Sequence, residues 1–347
     1  MRMNENGVSI IICCYNSKAR IFKTLEALAR QQIATSIQVE IILVDNASTD
    51  GTREFATGIW DELKAPFPLI STHEPNPGQL YARNKGVEIS SYKYILFCDD
   101  DNWLSHKYVA TIYNNLNGDD TVAACGGRGI PVFEISPPKW FDAYKEAFAI
   151  GPQNINSDGG RILNLYGAGL GVNKNILSLL KNSGFRSQLH GRSGTNLSSA
   201  DDTELTYTFS LMGYRNIYCD DLLFHHYITA PRLQTAYLQK LFKAFGADGP
   251  VRNLYYAYLT SRPSHQQMKN WYLHFFVAIF RLFKYMFLPP KKDGRLIYFK
   301  WSIAYIKSLI NIKKDYKKMK ENIECVQAMR IKQAVPAKPL ATFIINV

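Results

Sequence analysis

Three consecutive carboxylates, Asp99, Asp100 and Asp101, follow the apolar run of residues 94–98. Acids this close together repel one another in a partly apolar setting, and a divalent cation relieves that repulsion. Hard carboxylate oxygens suit Mg²⁺ or Mn²⁺, and such an ion can neutralise a diphosphate and stabilise it as a leaving group. The alternative is a solvated acidic turn, but the position at the end of an apolar run favours a metal site.

Two more residues with possible binding roles lie upstream of these acids. Asp45 follows the apolar residues 39–44 and could accept hydrogen bonds from a base or a ribose, or it could begin an Asx turn. Arg83 could pair with phosphate oxygens through its guanidinium fork, although its local pattern favours an exposed helix face. Neither residue alone indicates a site.

Two further candidates lie in the second half of the chain. Asp201 and Asp202 open a predicted helix, where acids stabilise the helix N-terminus, but one of them could instead be a general base for an acceptor hydroxyl. His226 follows an apolar run and could be a third metal ligand. The local pattern around His226 fits equally well a histidine that bonds to the backbone.

The elements that must position these residues form an alternating pattern. Residues 8–14, 39–44 and 94–98 are β-branched or apolar runs that predict buried strands, and helices are predicted from about Lys18, from Thr52 and over 78–89. Strands alternating with helices predict a largely parallel sheet, where ligands collect outside the carboxyl ends of the strands. We therefore expect the three strand ends to lie side by side.

Beyond the acidic cluster the pattern is weaker. The predicted features are a strand over 122–125, a turn over 126–129, a loop at 137–141, a small-residue run at 166–171, a helix from 201 to about 212 closed by Gly213, and a strand over 217–224.

The composition indicates the cellular compartment and a partner with negative charge. The chain has 347 residues, a formal net charge of +12 and six scattered cysteines. The cysteine spacing does not suggest zinc ligation, so we expect reduced thiols, no secretory leader and a cytoplasmic location. Residues 281–320 hold 12 Lys and Arg against two acids, so much of the charge is local.

Two apolar segments, residues 271–288 and 296–312, carry cations at helical spacing. In the first, His274, Arg281 and Lys284 share one face of a helical wheel. In the second, Lys300, Lys307, Asn311, Lys314 and Lys318 share another. Such helices can lie in a membrane interface, pack as ordinary helices on the globular body, or span the bilayer. The interfacial arrangement is favoured, because spanning would place cations in hydrocarbon.

Taken together, the motifs resemble glycosyltransferase family 2. The resemblance covers about residues 8–249 and rests on the segments VSIIICCYNS, VEIILVDNASTDGT, YARNKGVEIS, YILFCDDDNW, SADDTEL and FHHYITAPRL, in that order. It implies a GT-A fold, which is a mixed, mostly parallel α/β sheet flanked by helices, here followed by C-terminal amphipathic helices.

The resemblance also implies roles for individual residues. Asp202 matches the catalytic base, with Asp201 standing where the family has Glu. The implied nucleotide-sugar ligands are Tyr15, Asn16, Asp45, Arg83, Asp99 and Asp100. The implied ligands of Mg²⁺ or Mn²⁺ are Asp99, Asp101 and His226. The residues expected to border the acceptor are Trp140, Gly167, Ala168, Gly169 and Asp201.

The sequence therefore predicts an inverting glycosyltransferase that uses a nucleotide-sugar donor and a glycan or lipid-linked acceptor, in cell-surface polysaccharide or glycolipid synthesis. We expect a catalytic domain over 1–250, divided at about 105 into nucleotide-binding and acceptor-binding parts, then membrane-associating helices over 251–325 and a tail over 326–347. We expect a peripheral location on the inner face of the cell membrane, with no nucleic-acid partner. The alternatives are a metal-dependent nucleotidyltransferase, for which no glycine-rich phosphate loop is found, and a membrane-surface or nucleic-acid-binding protein that uses the basic segment.

Overall fold

A computed structural model describes residues 5–153, 157–158, 161–189, 191–192, 197, 200–288, 290 and 294–330. Most of the predicted tail, residues 331–347, lies outside the described residues. All six cysteines are free thiols, as the sequence predicted.

The strands form one mixed sheet in the order β3-β2-β1-β4-β9-β6-β10-β8-β7, with β5 paired to β10. Strands β1 to β4 pair in parallel, while β9 runs antiparallel to both β4 and β6. The strands are β1 Glu5–Cys14, β2 Gln38–Asp45, β3 Leu69–His73, β4 Tyr92–Asp99, β5 Asn102–Leu104, β6 Val122–Phe133, β7 Ser157–Asp158, β8 Arg161–Ile162, β9 Leu170–Asn173 and β10 Arg215–Ile228.

Helices cover the sheet and then form a C-terminal layer. They are α1 Ile21–Ala29, α2 Thr52–Glu62, α3 Gln79–Ile89, α4 Tyr108–Asn117, α5 Phe141–Tyr144, α6 Lys174–Asn182, α7 Asp201–Leu211, α8 Thr235–Leu259, α9 Pro263–Gln266, α10 Trp271–Phe287, α11 Arg295–Asn311 and α12 Tyr316–Ala328.

The predicted α/β sheet is confirmed, and its strand ends meet as expected. In the register of the sheet, Cys14 pairs with Asp45 and Cys13 pairs with Asp99. The apolar runs are buried because helices pack on both faces of these strands, with α1, α2 and α4 on one face and α3, α6 and α7 on the other. The sheet thus places Asp45 and Asp99 at the same edge.

Two local predictions were wrong. The first helix begins at Ile21, because the Ser17 carbonyl accepts hydrogen bonds from the amides of Arg20 and Ile21 in a turn that precedes it. Residues 126–129 form no turn but continue β6, where a side chain at Gly127 would overlap Leu222 of β10. Glycine there allows the close approach of the two strands.

The second half of the chain departs further from the prediction. Strand β10 continues through His226 to Ile228, so the histidine lies within the sheet and not after it. Helix α8 was not predicted, and it runs through residue 250, where the sequence suggested a domain boundary. Residues 326–328, assigned to the tail, continue α12.

The two C-terminal apolar segments are helices, as predicted, and become α10 and α11. Gly246 and Gly249 of α8 face α11, where an added methyl group would overlap the Trp301 backbone and the Tyr305 ring. Helix α11 therefore packs on α8 at very short distance, and α10 packs on α11. Among the helices in the described ranges, none is both apolar enough and long enough to cross a membrane.

The polar face of α11 is exposed as predicted, but that of α10 is not. His274 is fully buried and Arg281 is half-buried, whereas Lys284 remains exposed. The first part of the predicted polar stripe of α10 thus faces the protein, while several large apolar side chains of the helix are exposed.

Candidate active site

A cavity of about 760 Å³ opens at the carboxyl ends of β1 and β4. Loops after the strands supply Tyr15, Asn46 and Gly78, and the C-terminal helices supply Phe242 and Tyr298. Its ionisable lining residues include Arg20, Arg83, Asp99, Asp100, Asp101, Glu146, Arg192, Asp201, Asp202, His226, Arg232 and Arg252. The edge of the sheet and the helical layer thus enclose one charged space.

The middle acid of the cluster turns towards the protein interior. Asp100 forms an ion pair of 2.6 Å with Arg20 and also accepts a hydrogen bond from the Ser17 hydroxyl, while its backbone carbonyl accepts one from Thr24 at 2.9 Å. Burial raises the pKa of Asp100, and the charge of Arg20 opposes that rise. These contacts tie the strand end to the start of α1, so Asp100 acts mainly through the structure of the loop.

The third acid, Asp101, meets His226 and Arg232. Its Oδ2 lies 2.9 Å from an Arg232 guanidinium nitrogen and 3.5 Å from His226 Nε2. Burial alone would raise the pKa of Asp101, but the charge and hydrogen bond of His226 and the charges of Arg232 and Arg192 lower it. The carboxylate is therefore held as an anion.

The imidazole of His226 has a defined orientation. Its Nδ1 lies 2.8 Å from the Phe148 carbonyl oxygen and can only donate there, while Nε2 lies 3.1 Å from an Arg232 guanidinium nitrogen and 3.5 Å from Asp101 Oδ2. A histidine whose second nitrogen bonds to a backbone carbonyl in this way has the tautomer that metal-binding imidazoles use.

The first acid, Asp99, is the most open of the three. Its side chain is 32% exposed, and its Oδ1 accepts a hydrogen bond of 3.3 Å from Gln79 and lies 3.9 Å from Arg83. Asp99 therefore presents a carboxylate to the cavity without a close ion pair.

Arg83 is not on an exposed helix face, so the local prediction for it was wrong. Helix α3 packs this face on the sheet, where the guanidinium lies 5.0 Å from the Phe97 ring centre and donates to Asp201 at 2.8 Å. The arginine joins α3 to the start of α7, across 118 residues of sequence.

Asp202 lies beside this pair at the N-terminus of α7. Its Oδ2 accepts a hydrogen bond of 2.6 Å from the Gly167 amide, and its Oδ1 accepts one of 2.6 Å from the Thr203 amide. Burial and the neighbouring Asp201 charge raise the pKa of Asp202 to about 7, against the opposing charge of Arg83. A carboxylate with this pKa can take up a proton near neutral pH.

Residues 9–180 match the family model for glycosyl transferase family 2. The chain belongs to glycosyltransferase family 2.

Individual relatives agree with that family. The chain is 28% identical over 162 residues to poly(ribitol-phosphate) beta-glucosyltransferase of Bacillus spizizenii, which covers 43% of this chain and 24% of the relative. Alignments with other curated glycosyltransferases span about a third of the relatives' own length, at 34% and 35%.

Solved structures share the fold. The mannosyltransferase PcManGT from Pyrobaculum calidifontis, in complex with GDP-Man and Mn²⁺, superposes with a TM-score of 0.50 at 18% identity, covering 94% of this chain and 87% of that one. TarS 1–349 of S. aureus, in complex with UDP-GlcNAc, has a TM-score of 0.50 at 14% identity, covering 90% and 92%. The GT-A fold expected from the family is thus confirmed.

Most residues implied by the family line the cavity, and a few lie behind its wall. The lining ones are Tyr15, Arg83, Asp99, Asp100, Asp101, Gly167, Ala168, Asp201, Asp202 and His226. Among the described residues, four candidates are not part of the lining, namely Asn16, Asp45, Trp140 and Gly169.

Each of these four has a defined contact elsewhere in the protein, and Trp140 also packs on a lining residue. Asp45 is buried, and its carboxylate lies 3.2 Å from His73 Nδ1, while the Asn16 side chain accepts a hydrogen bond from the Thr49 amide at 2.9 Å. Trp140 stacks on the cavity residue Phe148 at 6.2 Å, and the Gly169 carbonyl accepts from Tyr108 at 2.8 Å. A direct contact of these four with a ligand remains a prediction.

The motifs did not identify several cavity residues. Arg20 and Arg252 lie outside the quoted segments, as do Phe242, Phe245 and Tyr298. Arg232 lies inside the last quoted segment, and its contact with Asp101 follows from the pairing of β10 with β5, which begins at the next residue, Asn102. The sequence motifs gave no sign of that strand pairing.

Asp99, Asp101 and His226 carry the kinds of donor atom that bind a divalent cation. In the described ranges, no cluster of three or more His, Cys, Asp or Glu side chains is arranged as a metal site. Two cavity-lining carboxylates and the Nε2 of His226 are nevertheless present. This set fits an ion such as Mg²⁺, which commonly takes one or two protein carboxylates and completes its coordination with phosphate oxygens.

Proposed function

We propose that the chain transfers a sugar from a nucleotide-sugar donor to an acceptor hydroxyl, with inversion at the anomeric carbon. The observation that carries the proposal is the convergence of Asp202, with its raised pKa, and the open Asp99 carboxylate on one cavity at the strand ends. Family membership supports the same reaction class.

In the proposed reaction Asp202 is the general base. It accepts the proton of the acceptor hydroxyl while the hydroxyl oxygen bonds to the anomeric carbon and the bond from that carbon to the diphosphate oxygen breaks. The amides of Gly167 and Thr203 hold the carboxylate by one bond to each oxygen, so its orientation is fixed before the acceptor arrives.

The leaving diphosphate needs positive charge, and the cavity provides it. Arg232 faces the cavity beside Asp101, and Arg192 also lines it. We propose that Asp99 and Asp101, with His226, hold Mg²⁺ or Mn²⁺, which when bound supplies Lewis-acid stabilisation of the diphosphate. Arg232 keeps the Asp101 carboxylate ionised and in position for such an ion.

We further propose a lipid-linked or glycan acceptor in cell-surface polysaccharide or glycolipid synthesis, and a peripheral location on the inner face of the cell membrane. The poly(ribitol-phosphate) beta-glucosyltransferase among the relatives supports a polymeric acceptor. The exposed cations of α11 and of the residues that follow it support attraction to an anionic surface.

The test combines donor binding with transfer. A panel that includes UDP-GlcNAc and GDP-Man, with and without Mg²⁺ or Mn²⁺, is scored by thermal stabilisation of the protein. A donor at 100 times its dissociation constant should add about 2.7 kcal/mol to the free energy of unfolding.

Asp202→Asn should then lower the rate of transfer of that donor's sugar by roughly 10²- to 10⁴-fold while donor stabilisation is kept. Asp120→Asn is the matched control, because that side chain is 89% exposed and remote from the reacting groups. Transfer at the wild-type rate by the Asp202 variant would show that another residue is the base.

A further inference from the structure

Helix α10 presents an aromatic face to the outside of the molecule. Four rings one turn apart make up this phenylalanine face, which we define as Phe276, Phe280, Phe283 and Phe287. Their exposed fractions are 68%, 69%, 55% and 72%. Single exposed apolar side chains are common on proteins, but a contiguous row of this size marks an interaction surface.

The opposite side of α10 lies inside the protein, where His274 is buried among apolar residues that include Ala278 and Phe275. His274 donates through Nδ1 to the Tyr316 hydroxyl at 2.7 Å, and Tyr316 donates to the Met268 carbonyl at 2.5 Å. On the other side, Nε2 accepts from the Tyr305 hydroxyl, which in turn accepts from Asn253 Nδ2 at 2.6 Å. Every member of this chain of hydrogen bonds has both its donor and its acceptor role filled.

This chain of hydrogen bonds fixes which way α10 faces. Burial lowers the pKa of His274 to about 3, with a smaller contribution from Arg281, so the imidazole is neutral and suited to one donated and one accepted bond. A half-turn rotation of α10 would bury the four rings but would break these bonds. The helix therefore buries His274 and leaves a row of phenyl rings outside, whereas the outer side of an ordinary surface helix is polar.

The surroundings of the phenylalanine face are basic. Lys284 of α10 is exposed, and Lys313 lies 4.4 Å from the Trp271 ring centre and 5.1 Å from that of Tyr272, at the start of the same helix. Residues 281–320 hold 12 Lys and Arg against two acids. An apolar row beside an excess of cations is complementary to anionic headgroups above acyl chains.

We propose that the phenylalanine face inserts into the interface of an anionic lipid bilayer, with α10 lying in the plane of the membrane. At 1.5 Å per residue the 17 residues of α10 extend about 25 Å, which is shorter than the roughly 30 Å hydrocarbon core. The proposal rests on the peripheral location proposed above. It names the surface that inserts into the bilayer, which is the aromatic side of α10.

The same layer reaches the cavity. Helix α11 packs on α10 and on α8, and its Tyr298 lines the cavity together with Phe242 and Phe245 of α8. A bilayer that holds α10 therefore holds the cavity one helix away from the headgroups. This position favours an acceptor that is itself anchored in the bilayer.

The test is sedimentation of the full chain with vesicles of phosphatidylcholine mixed with phosphatidylglycerol, and with vesicles of phosphatidylcholine alone. Phe276→Ser with Phe280→Ser should weaken binding to the anionic vesicles at least tenfold. Leu179→Ser on α6 is the matched control, because it removes an apolar side chain that is 49% exposed outside the C-terminal layer, and it should bind as the wild type does. Lys284→Gln should reduce binding to the anionic vesicles only.

Equal binding by the wild type and the double phenylalanine variant would overturn the proposal. So would a wild-type chain that ignores vesicles and forms a dimer that the double variant dissociates, since the occupant would then be a second copy. Donor-induced thermal stabilisation is measured on every variant and should be unchanged. Vesicle binding without any donor binding would refute the proposed transfer reaction and leave this surface standing.

Discussion

The cavity and the C-terminal helical layer arrange polar and apolar groups in opposite ways. At the cavity, charged side chains that follow buried strands face open space, and all but the most open of the three acids are paired with arginines. In the helical layer, the imidazole of His274 and two tyrosine hydroxyls lie inside, while the four rings of the phenylalanine face lie outside. The periodicity of a sequence thus reveals that a helix has two faces, but the contacts of each face decide which one is buried.

The contrast is tested most directly by removing the buried imidazole of His274 from the helical layer. His274→Ala leaves the Tyr305 and Tyr316 hydroxyls without their shared partner and creates a small cavity, and should lower the free energy of unfolding by about 3–5 kcal/mol. Phe280→Ala on the outer face should change it by less than about 0.5 kcal/mol. Urea denaturation of both variants measures the contrast. Similar losses of unfolding free energy would show that the burial of His274 and the exposure of Phe280 do not hold in solution.

The same histidine makes stability depend on pH. Its pKa is about 3 in the folded protein, below the ordinary 6.5, so the unfolded chain binds the proton first and stability falls as the pH drops from about 6.5 towards 3. His274→Ala should lose this dependence, which gives a second reading of the same variant.

A second variant compares acids within the cavity. Asp100→Ala leaves Arg20 and the Ser17 hydroxyl without their partner, and should lower the free energy of unfolding by about 2–4 kcal/mol, allowing for the partial exposure of Arg20. Asp99→Ala should cost less than about 1 kcal/mol, because its bonds are longer and its side chain is more open, yet it should abolish donor stabilisation. Equal destabilisation by the two changes would contradict the division of roles.

The pH dependence of transfer gives the smallest of these effects. Because Asp202 must be ionised to accept a proton and its pKa is about 7, kcat/KM should fall about tenfold for each pH unit below 7 and level off above it. Asp201→Asn removes a charge that raises this pKa, so the acid limb should move to lower pH. A limb that is the same in both proteins would assign the titration to another group.

How far the sequence predicted the molecule can be judged from the same residues. The strands that deliver Asp45 and Asp99 were predicted, because long apolar runs have few other structures available. The different roles of Asp100 and Asp101 were not, because their partners Arg20 and Arg232 lie 80 and 131 residues away. Adjacent residues at a strand end point in different directions, and only the tertiary structure supplies what each one meets.

Two helices of the C-terminal layer were predicted, but how they pack on the rest of the protein was not. The partners that turn His274 inward lie 31 and 42 residues further along the chain. Helix α8 was missed because Gly246, Gly249 and Pro250 weaken any helical pattern. Packing against α11 outweighs that local cost.

Those two glycines set a dimension of the molecule. Helices α8 and α11 cross at very short distance, because a methyl group at either glycine would displace α11. Helix α11 carries both Tyr298, which lines the cavity, and Trp301, which contacts Tyr285 of α10. A shift of α11 at the crossing would therefore move the cavity wall and α10 together. On the proposed bilayer surface, Gly246 and Gly249 would therefore help to set the distance between the membrane and the cavity.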